Sequence, residues 1–522
     1  MAKRKREAEE SASQTNGLHK RLSSASKAAT ISTSESDART TVQIITGSYE
    51  RVLHGVTATV SHETSKDFDD GSKAEFADTF LFNAHGSAIK CLALSPQSTS
   101  SDASQEQKII LASGSTDERI NLYHISASPP SQLGKITSIP SLAGNTITEN
   151  PRNRELGSLL HHSASINALY FPTRSKLLSA GEDNTIAVTR TRDWTVLSTI
   201  KAPIPKAMGR PSGDTAPSGG TPAGVNDFAV HPSLKLMVSV GKGEKCMRLW
   251  NLVTGKKAGV LTFGRELLQD VGEGRWSSGE GRKVEWDSKG EEFAVAFERG
   301  VVVFGMDSKP RCRILASSRT KVHQLRYFPL TETESITSDI LALSTEDGRV
   351  LFYTTHSIGI LKDKQPEGEQ TIPSCAALGQ LGGPATGVKG RIKDFEILRL
   401  PSLKGRAEST LIVTGSSDGA LRLWTLNSEE LNSGRPNSNG EPSTGNVNAA
   451  SSSNIKTDGS NTGASTRQVG HLIGSYETGN RITCLTAFVM SRPSVVDGLV
   501  QIDGGDIDTG KTEDGSDESH SS

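Results

Sequence analysis

Seven times along this chain a short β-branched or aliphatic run meets a tight polar turn carrying an acidic residue, then returns as a second apolar run. The clearest copies read "LIVTGSSDGALRLWTL", "IILASGSTDERINLYHI", "LLSAGEDNTIAVTRT" and "ILALSTEDGRVLFYT". Alternating apolar residues around an Asp-Gly, Asp-Asn or Asp-Glu step specify β-hairpins, because the short acid can accept hydrogen bonds from turn amides. Taking the acid as the marker gives the structural turns at Glu50, Asp117, Asp183, Glu244, Glu298, Asp347 and Asp418. Six positions later stand Val56, Tyr123, Thr189, Trp250, Phe304, Tyr353 and Trp424. Of these Tyr123, Trp250, Phe304, Tyr353 and Trp424 are the expected packing residues. A spacing of roughly 50–70 residues is too long for bare hairpins and suits four-stranded units with loop insertions.

A further strand precedes six of the hairpins: "AIKCLALSP" at 88–96, "SINALYFPT" at 165–173, "VNDFAVHPS" at 225–233, "RKVEWDSKG" at 282–290, "KVHQLRYFP" at 321–329 and "RIKDFEILR" at 391–399. Nothing suitable precedes Gly47, whereas "RITCLTAF" at 481–488 has no hairpin after it. The two ends therefore complete each other, with 42–48, 51–58 and 78–83 joining the C-terminal strand. The expected fold is all-β, a seven-bladed β-propeller whose last blade is closed by N- and C-terminal strands, which leaves no open edge. "GSYE" occurs at 47–50 and at 474–477. The first copy is expected in the closing hairpin; the second is expected to follow an outer strand and lead into the closing strand.

Hydrophobic residues at 34% and a mean hydropathy of -0.39 are low for a compact enzyme, so part of the chain is expected to be disordered. The expected divisions are a disordered basic and Ser-rich tail at 1–40, the propeller at 41–490 and a disordered acidic tail at 491–522. A charged stretch covers 62–76. Loop insertions rich in Gly, Ser, Pro and Asn fall at about 207–223 and 427–467, where little apolar surface offsets the entropy of ordering.

The formal net charge of -1 argues against a chain that coats nucleic acid uniformly. No apolar run is long enough to span a membrane, and "MAKRKREAEE" is too charged for a secretory signal, so a soluble intracellular protein is expected. The five cysteines, Cys91, Cys246, Cys312, Cys375 and Cys484, are far apart and read as buried thiols in a reducing compartment, with neither a disulfide framework nor a zinc site. "GKGEKC" and "DVGEGRW" miss the phosphate-loop pattern and read as turns. His161 and His162 lack metal-ligand spacing, and the turn acids already have local partners. No catalytic residue, cofactor or metal is expected. "KRKR", comprising Lys3, Arg4, Lys5 and Arg6, fits a nuclear import address, and Arg21 before Ser24 fits a basophilic kinase site.

"MRLWNL" and "LRLWTL", together with "NAHGSAIKCLALSP" and "LHHSASINALYFP", make the chain resemble a WD-repeat propeller. That resemblance implies that His85 and His162 join a hydrogen-bond network with a strand Ser or Thr, the turn acid and a Trp. With Tyr123 and Thr189 in place of Trp, a partial network is expected. "IITGSYERVLHGV", "HGSAIKCLALSP" with "LASGSTDERINLY", and "GKGEKCMRLWNLVTGKKAGVL" are similar to the p21-activated kinase-interacting protein 1-like family, whose fungal member is called maintenance of killer 11. The resemblance covers roughly 42–490 and implies a non-catalytic scaffold in large (60S) ribosomal subunit biogenesis and rRNA processing, in the nucleus and nucleolus. Its implied partners are pre-ribosomal proteins and assembly factors, with pre-rRNA reached indirectly, and the chain is expected to be a monomer within a larger complex. The alternative it implies is restraint of p21-activated kinase by direct binding. The tail departs from the family's expected Lys-rich one in being acidic.

Overall fold

The computed structural model describes residues 39–61, 74–97, 108–129, 139–140, 146–147, 149–205, 223–274, 277–316, 320–331, 337–355, 372–400, 409–432 and 466–491. Lys3 to Arg6, Arg21, Ser24 and the acidic tail lie outside them, as do most of the two insertions.

Seven antiparallel sheets form a ring. In blade 1 the strands, from inner to outer, are Ile89–Leu94, Lys108–Ser115, Ile120–Ser126 and Arg154–Leu159. Blade 2 has Ile166–Thr173, Lys176–Gly181, Thr185–Arg190 and Val196–Lys201, and blade 3 has Val225–Val230, Leu236–Gly241, Cys246–Asn251 and Lys256–Thr262. Blade 4 comprises Lys283–Trp286, Glu292–Ala296, Gly300–Gly305 and Pro310–Leu315, and blade 5 comprises Val322–Thr331, Thr337–Thr345, Arg349–Thr354 and Ala376–Gly382. Blade 6 is Ile392–Arg399, Ser409–Ser416, Ala420–Asn427 and His471–Glu477. The closing blade takes its inner strand, Ile482–Val489, from the C-terminal side, and Arg39–Ser48, Val52–Ser61 and Ala74–Asn83 from the N-terminal side.

Closure is a full ladder, running from Val42 opposite Val489 to Gly47 opposite Cys484. The turn acid Glu50 adds a clasp, accepting a 2.9 Å hydrogen bond from the Arg481 amide at the entrance of the closing strand. Across the neighbouring boundary the Tyr476 hydroxyl donates to Asp78 at 2.6 Å, and the same carboxylate oxygen meets His54 Nε2 at 2.7 Å. The second "GSYE" therefore lies inside the outer strand of blade 6 rather than after it, and it binds blade 6 to the closing blade.

Each core cluster spans neighbouring blades, because alternate residues of a sheet face opposite neighbours. Phe328 and Phe352 of blade 5 pack with Phe395 and Trp424 of blade 6, and Ile45 and Leu53 of the closing blade pack with Ile89 and Leu111 of blade 1. The blades approach so closely at Gly47 that a Cβ would lie 2.6 Å from Ile89 Cγ2, and at Gly114 a Cβ would lie 2.7 Å from Ile166 Cγ2. A larger residue at either place would push the next blade outward.

Three further expectations need correction. Cys312 and Cys375 are joined as a disulfide, not separate thiols; they sit on the outer strand of blade 4 and just before that of blade 5. Cys91 and Cys246 are half-buried thiols, and Cys484 is fully buried. The insertion expected at 427–467 opens with a helix, Ser428–Asn432, whose Leu431 is 0% exposed in the cluster of blades 5 and 6. The charged stretch at 62–76 ends early, since the outer closing strand starts at Ala74, with Ala74 buried and Phe76 packed beside it. Two short strands, Ile139–Pro140 and Thr146–Ile147, also extend the closing blade beyond four strands.

Candidate functional site

All seven turn acids lie in or beside the turn between the second and third strands of a blade, on one face of the ring, and all seven residues six positions later lie on third strands. The acids do not converge on one another. In blade 1 the Asp117 carboxylate accepts from the amides of Gly86 (2.8 Å) and Arg119 (3.1 Å) and lies 3.1 Å from His85 Nδ1. A carboxylate only accepts, so Nδ1 carries the proton, and Nε2 takes a 2.8 Å hydrogen bond from the Ser113 hydroxyl. The same relay joins Asp183, His162 Nδ1 (3.0 Å), His162 Nε2 and Ser179 (2.8 Å) in blade 2.

The network is more complete than expected. In blade 1 Tyr123 is buried at the place where a Trp would otherwise stand. In blade 2 the hydroxyl of Thr189 is buried without a partner, and His161 Nε2 takes the vacant approach to Ser179 at 3.0 Å. Blades 3 and 6 hold the other half: Trp250 Nε1 donates to Ser239 at 2.8 Å and Trp424 Nε1 to Thr414 at 3.2 Å. Lacking a His, their acids turn to an Arg four residues on, Glu244 to Arg248 and Asp418 to Arg422. Phe304 and Tyr353 pack without a comparable bond, Phe304 stacking on Phe293 at 5.4 Å and Tyr353 buried enough that its hydroxyl is pushed up to about 12. Val56 is buried in the closing cluster, and Asp347 pairs with Arg349 at 3.2 Å while Glu298 pairs with Lys321 at 2.9 Å.

The inner strands place a second set of residues around the central channel. Six of them begin with a bulge in their pairing, and the residue passed over is Lys90, Asn167, Asn226, His323, Lys393 or Thr483. A bulge re-aims its extra side chain, here toward the mouth of the channel. Arg282, whose amide bonds Ala296 ahead of the Lys283–Ala296 pair, holds the same place in blade 4. Deeper in the channel Arg326 faces Glu285 (3.9 Å), Asp394 (3.8 Å) and Glu396 (3.8 Å). Desolvation pushes both glutamates up to about 7 against the pull of Arg326. The alternation of these strands was legible, but which residues meet across the channel was not.

The Ser113 and Ser179 hydroxyls that meet the His–Asp relays are 0% exposed, out of reach of a substrate. Burial pushes the Cys91 thiol up to about 12 and that of Cys484 well above its usual range, where thiolate chemistry is suppressed. Among the described residues no group of three or more His, Cys, Asp or Glu is arranged to hold a metal ion. The arrangement suits a rigid ring that presents side chains on one face.

The chain folds as a seven-bladed β-propeller that carries WD repeats: residues 77–124 and 153–188 match the WD domain, G-beta repeat family. These stretches carry the two His-Ser-Asp relays. Its homologues include Protein MAK11 of Saccharomyces cerevisiae, 27% identical over 74% of this chain and 78% of that protein, and the p21-activated protein kinase-interacting protein 1-like protein of Danio rerio, 24% identical over 75% of each. Shk1 kinase-binding protein 15 of Schizosaccharomyces pombe is 24% identical over 60% of this chain and 70% of its own length.

Proposed function

We propose that this chain is a non-catalytic docking platform for assembly of the large ribosomal subunit, working in the nucleolus with pre-ribosomal proteins and assembly factors. The observation that carries this reading is the similarity to Protein MAK11 along most of both chains, in the family whose resemblance implies that role. A closed ring supports it physically, because a rigid scaffold holds many loops in fixed relation for several partners at once. Lys3 to Arg6 would provide nuclear import. Affinity purification of the chain from nuclear extract, with and without ribonuclease, is the test. Large-subunit assembly factors should co-purify, and should persist after ribonuclease if protein contacts dominate; their absence in both preparations rejects the reading.

A second reading is restraint of p21-activated kinase by direct binding, favoured by the kinase-interacting and kinase-binding names of the relatives. Purified protein should then lower p21-activated kinase activity in a dose-dependent way. Unchanged activity at saturating protein, with no complex detected, rejects it.

A further inference from the structure

The mouth of the channel is not bonded uniformly. At four successive blade junctions the rim residue reaches across to the next blade: Thr483 Oγ1 donates to the Ile89 carbonyl at 2.6 Å, Lys90 Nζ to Asn167 Oδ1 at 3.0 Å, Asn167 Nδ2 to the Val225 carbonyl at 2.8 Å and Asn226 Nδ2 to the Gly281 carbonyl at 2.9 Å. At the next three the chain of bonds stops, and the rim residues there are Arg282, His323 and Lys393. Arg282 pairs with Glu298 only at 3.5 Å. His323 Nε2 is shielded from water and has no hydrogen-bond partner, and the Lys393 ammonium has no hydrogen-bond or ion-pair partner among the described residues.

The cations gather where the bonds are missing. Burial and then the charges of Lys393, Arg391, Arg282 and Lys321 hold His323 down to about 4. Burial, Arg391, Arg481 and Lys321 lower Lys393, against the opposing pull of Glu346. Like charges held together with unmet hydrogen-bonding capacity destabilise a fold unless something of opposite sign joins them. Elsewhere on the rim the same bulge position is satisfied within the protein; here three consecutive positions point at the same opening.

We propose that this open arc, formed by Arg282, His323 and Lys393 with Arg391 at its edge, is a docking site for an acidic segment of a partner protein, which places a carboxylate in the channel mouth. This deepens the docking-platform reading and rests on it. A peptide carboxylate fits better than a nucleic-acid backbone. Glu298 and Glu346 flank the cations, and Glu285 and Glu396 stand deeper in the channel, so acceptors already line much of the mouth and the few open donors match one inserted carboxylate better than a run of phosphates. The carboxylate would accept from the Lys393 ammonium, the Arg282 guanidinium and the Nε2–H of a neutral His323, filling the three places where the rim lacks hydrogen bonds.

The test is fluorescence anisotropy of a labelled oligo-aspartate peptide with the full chain at low ionic strength, with oligouridylate in parallel. Binding should weaken at least about tenfold in the His323→Ala/Lys393→Ala double variant, persist in Lys393→Arg and weaken with added salt. Lys90→Ala, on the bonded side of the rim, should leave it unchanged. The His323 imidazole resonances should also move on peptide addition, a readout that general electrostatic attraction to the surface would not produce. Absent binding, equal binding by the double variant, a stationary His323 resonance, or tighter oligouridylate binding with the same residue dependence each overturns the proposal. None of these results bears on whether assembly factors co-purify, so the two readings fail separately.

Discussion

Blades 1 and 2 and blades 3 and 6 hold one buried hydroxyl from opposite sides. In the first pair a His bridges the turn acid to Ser113 or Ser179; in the second a Trp donates to Ser239 or Thr414 from the third strand, and the acid finds an Arg instead. All four hydroxyls are at most 3% exposed. What the four blades share is thus a second-strand hydroxyl that needs a partner, and either half of the network meets that need. Burial of the turn acid does not follow the relay alone: the side chains of Asp117 and Asp183 are 15% and 10% exposed, that of Glu244 against Arg248 is 10%, and that of Asp418 is 37%.

The sharpest way to break this equivalence is to remove the Trp half. Trp250→Ala or Trp424→Ala should cost about 3–5 kcal/mol in denaturant unfolding, since a large buried side chain and its hydrogen bond go together. Tyr123→Phe, which keeps the packing and removes only the hydroxyl, should cost less than about 1 kcal/mol. Equal losses would mean that packing is not what separates the two kinds of blade.

The acids come next. Asp117→Asn removes the charge that holds His85 and two amides, and should destabilise by about 1–3 kcal/mol, whereas Asp418→Asn, at an exposed carboxylate paired with Arg422, should cost less than about 1 kcal/mol. A reversal of that order would show that the arginine pairing, not the relay, anchors the turns.

Acid should distinguish the blades more gently. Desolvation first, and then His162, hold His161 down to about 4 from an ordinary 6.5, and desolvation also lowers His85. Each binds its proton less readily folded than unfolded. The contribution of His161 is therefore complete above about pH 6.5 and is lost as the pH falls toward 4, and that of His85 has the same sign. Glu285 and Glu396, raised to about 7 from 4.5, act with the opposite sign and add stability as the pH falls across that interval. Stability curves of the wild type and His161→Asn, measured from pH 7.5 to 4, isolate the His effect; the variant should lose less stability on acidification, and parallel curves would refute the assignment.

The smallest effect tests the vacancy in blade 2. Thr189→Val replaces a buried hydroxyl without a partner by a methyl of the same shape, and should leave stability unchanged or raise it by about 1 kcal/mol. A clear loss would show that the hydroxyl is bonded after all.

Much of this was legible in the sequence, for local reasons. Strand alternation and acidic turns are short-range signals, so the inner strands, the seven acids and the closing role of 481–488 could be placed from residues a few positions apart. Pairings between blades could not. Cys312 and Cys375 are separated by 63 residues, and neither has a neighbouring Cys to announce it. The helix at Ser428–Asn432 was hidden because its polar residues match the insertion that follows, and only Leu431 marks its packing. The relay was undercounted because His161 is adjacent to His162 in sequence, yet both imidazoles reach Ser179. Bulges that turn Lys393 and His323 to the rim depend on strand register, which composition does not encode.

The clasp between Glu50 and Arg481 joins residues 431 apart, and that separation becomes a delay when the protein is made. Arg39–Ser48 leaves the ribosome early and must wait for its partner strand to be translated, which at about 5–20 residues per second takes about 20–90 s. Throughout that interval the nascent chain displays a strand edge with two apolar sides, long after blades 1 to 5 have had time to pair their own strands. That edge is covered only when Ile482–Val489 pairs along it, so the ring cannot close until its last inner strand is made.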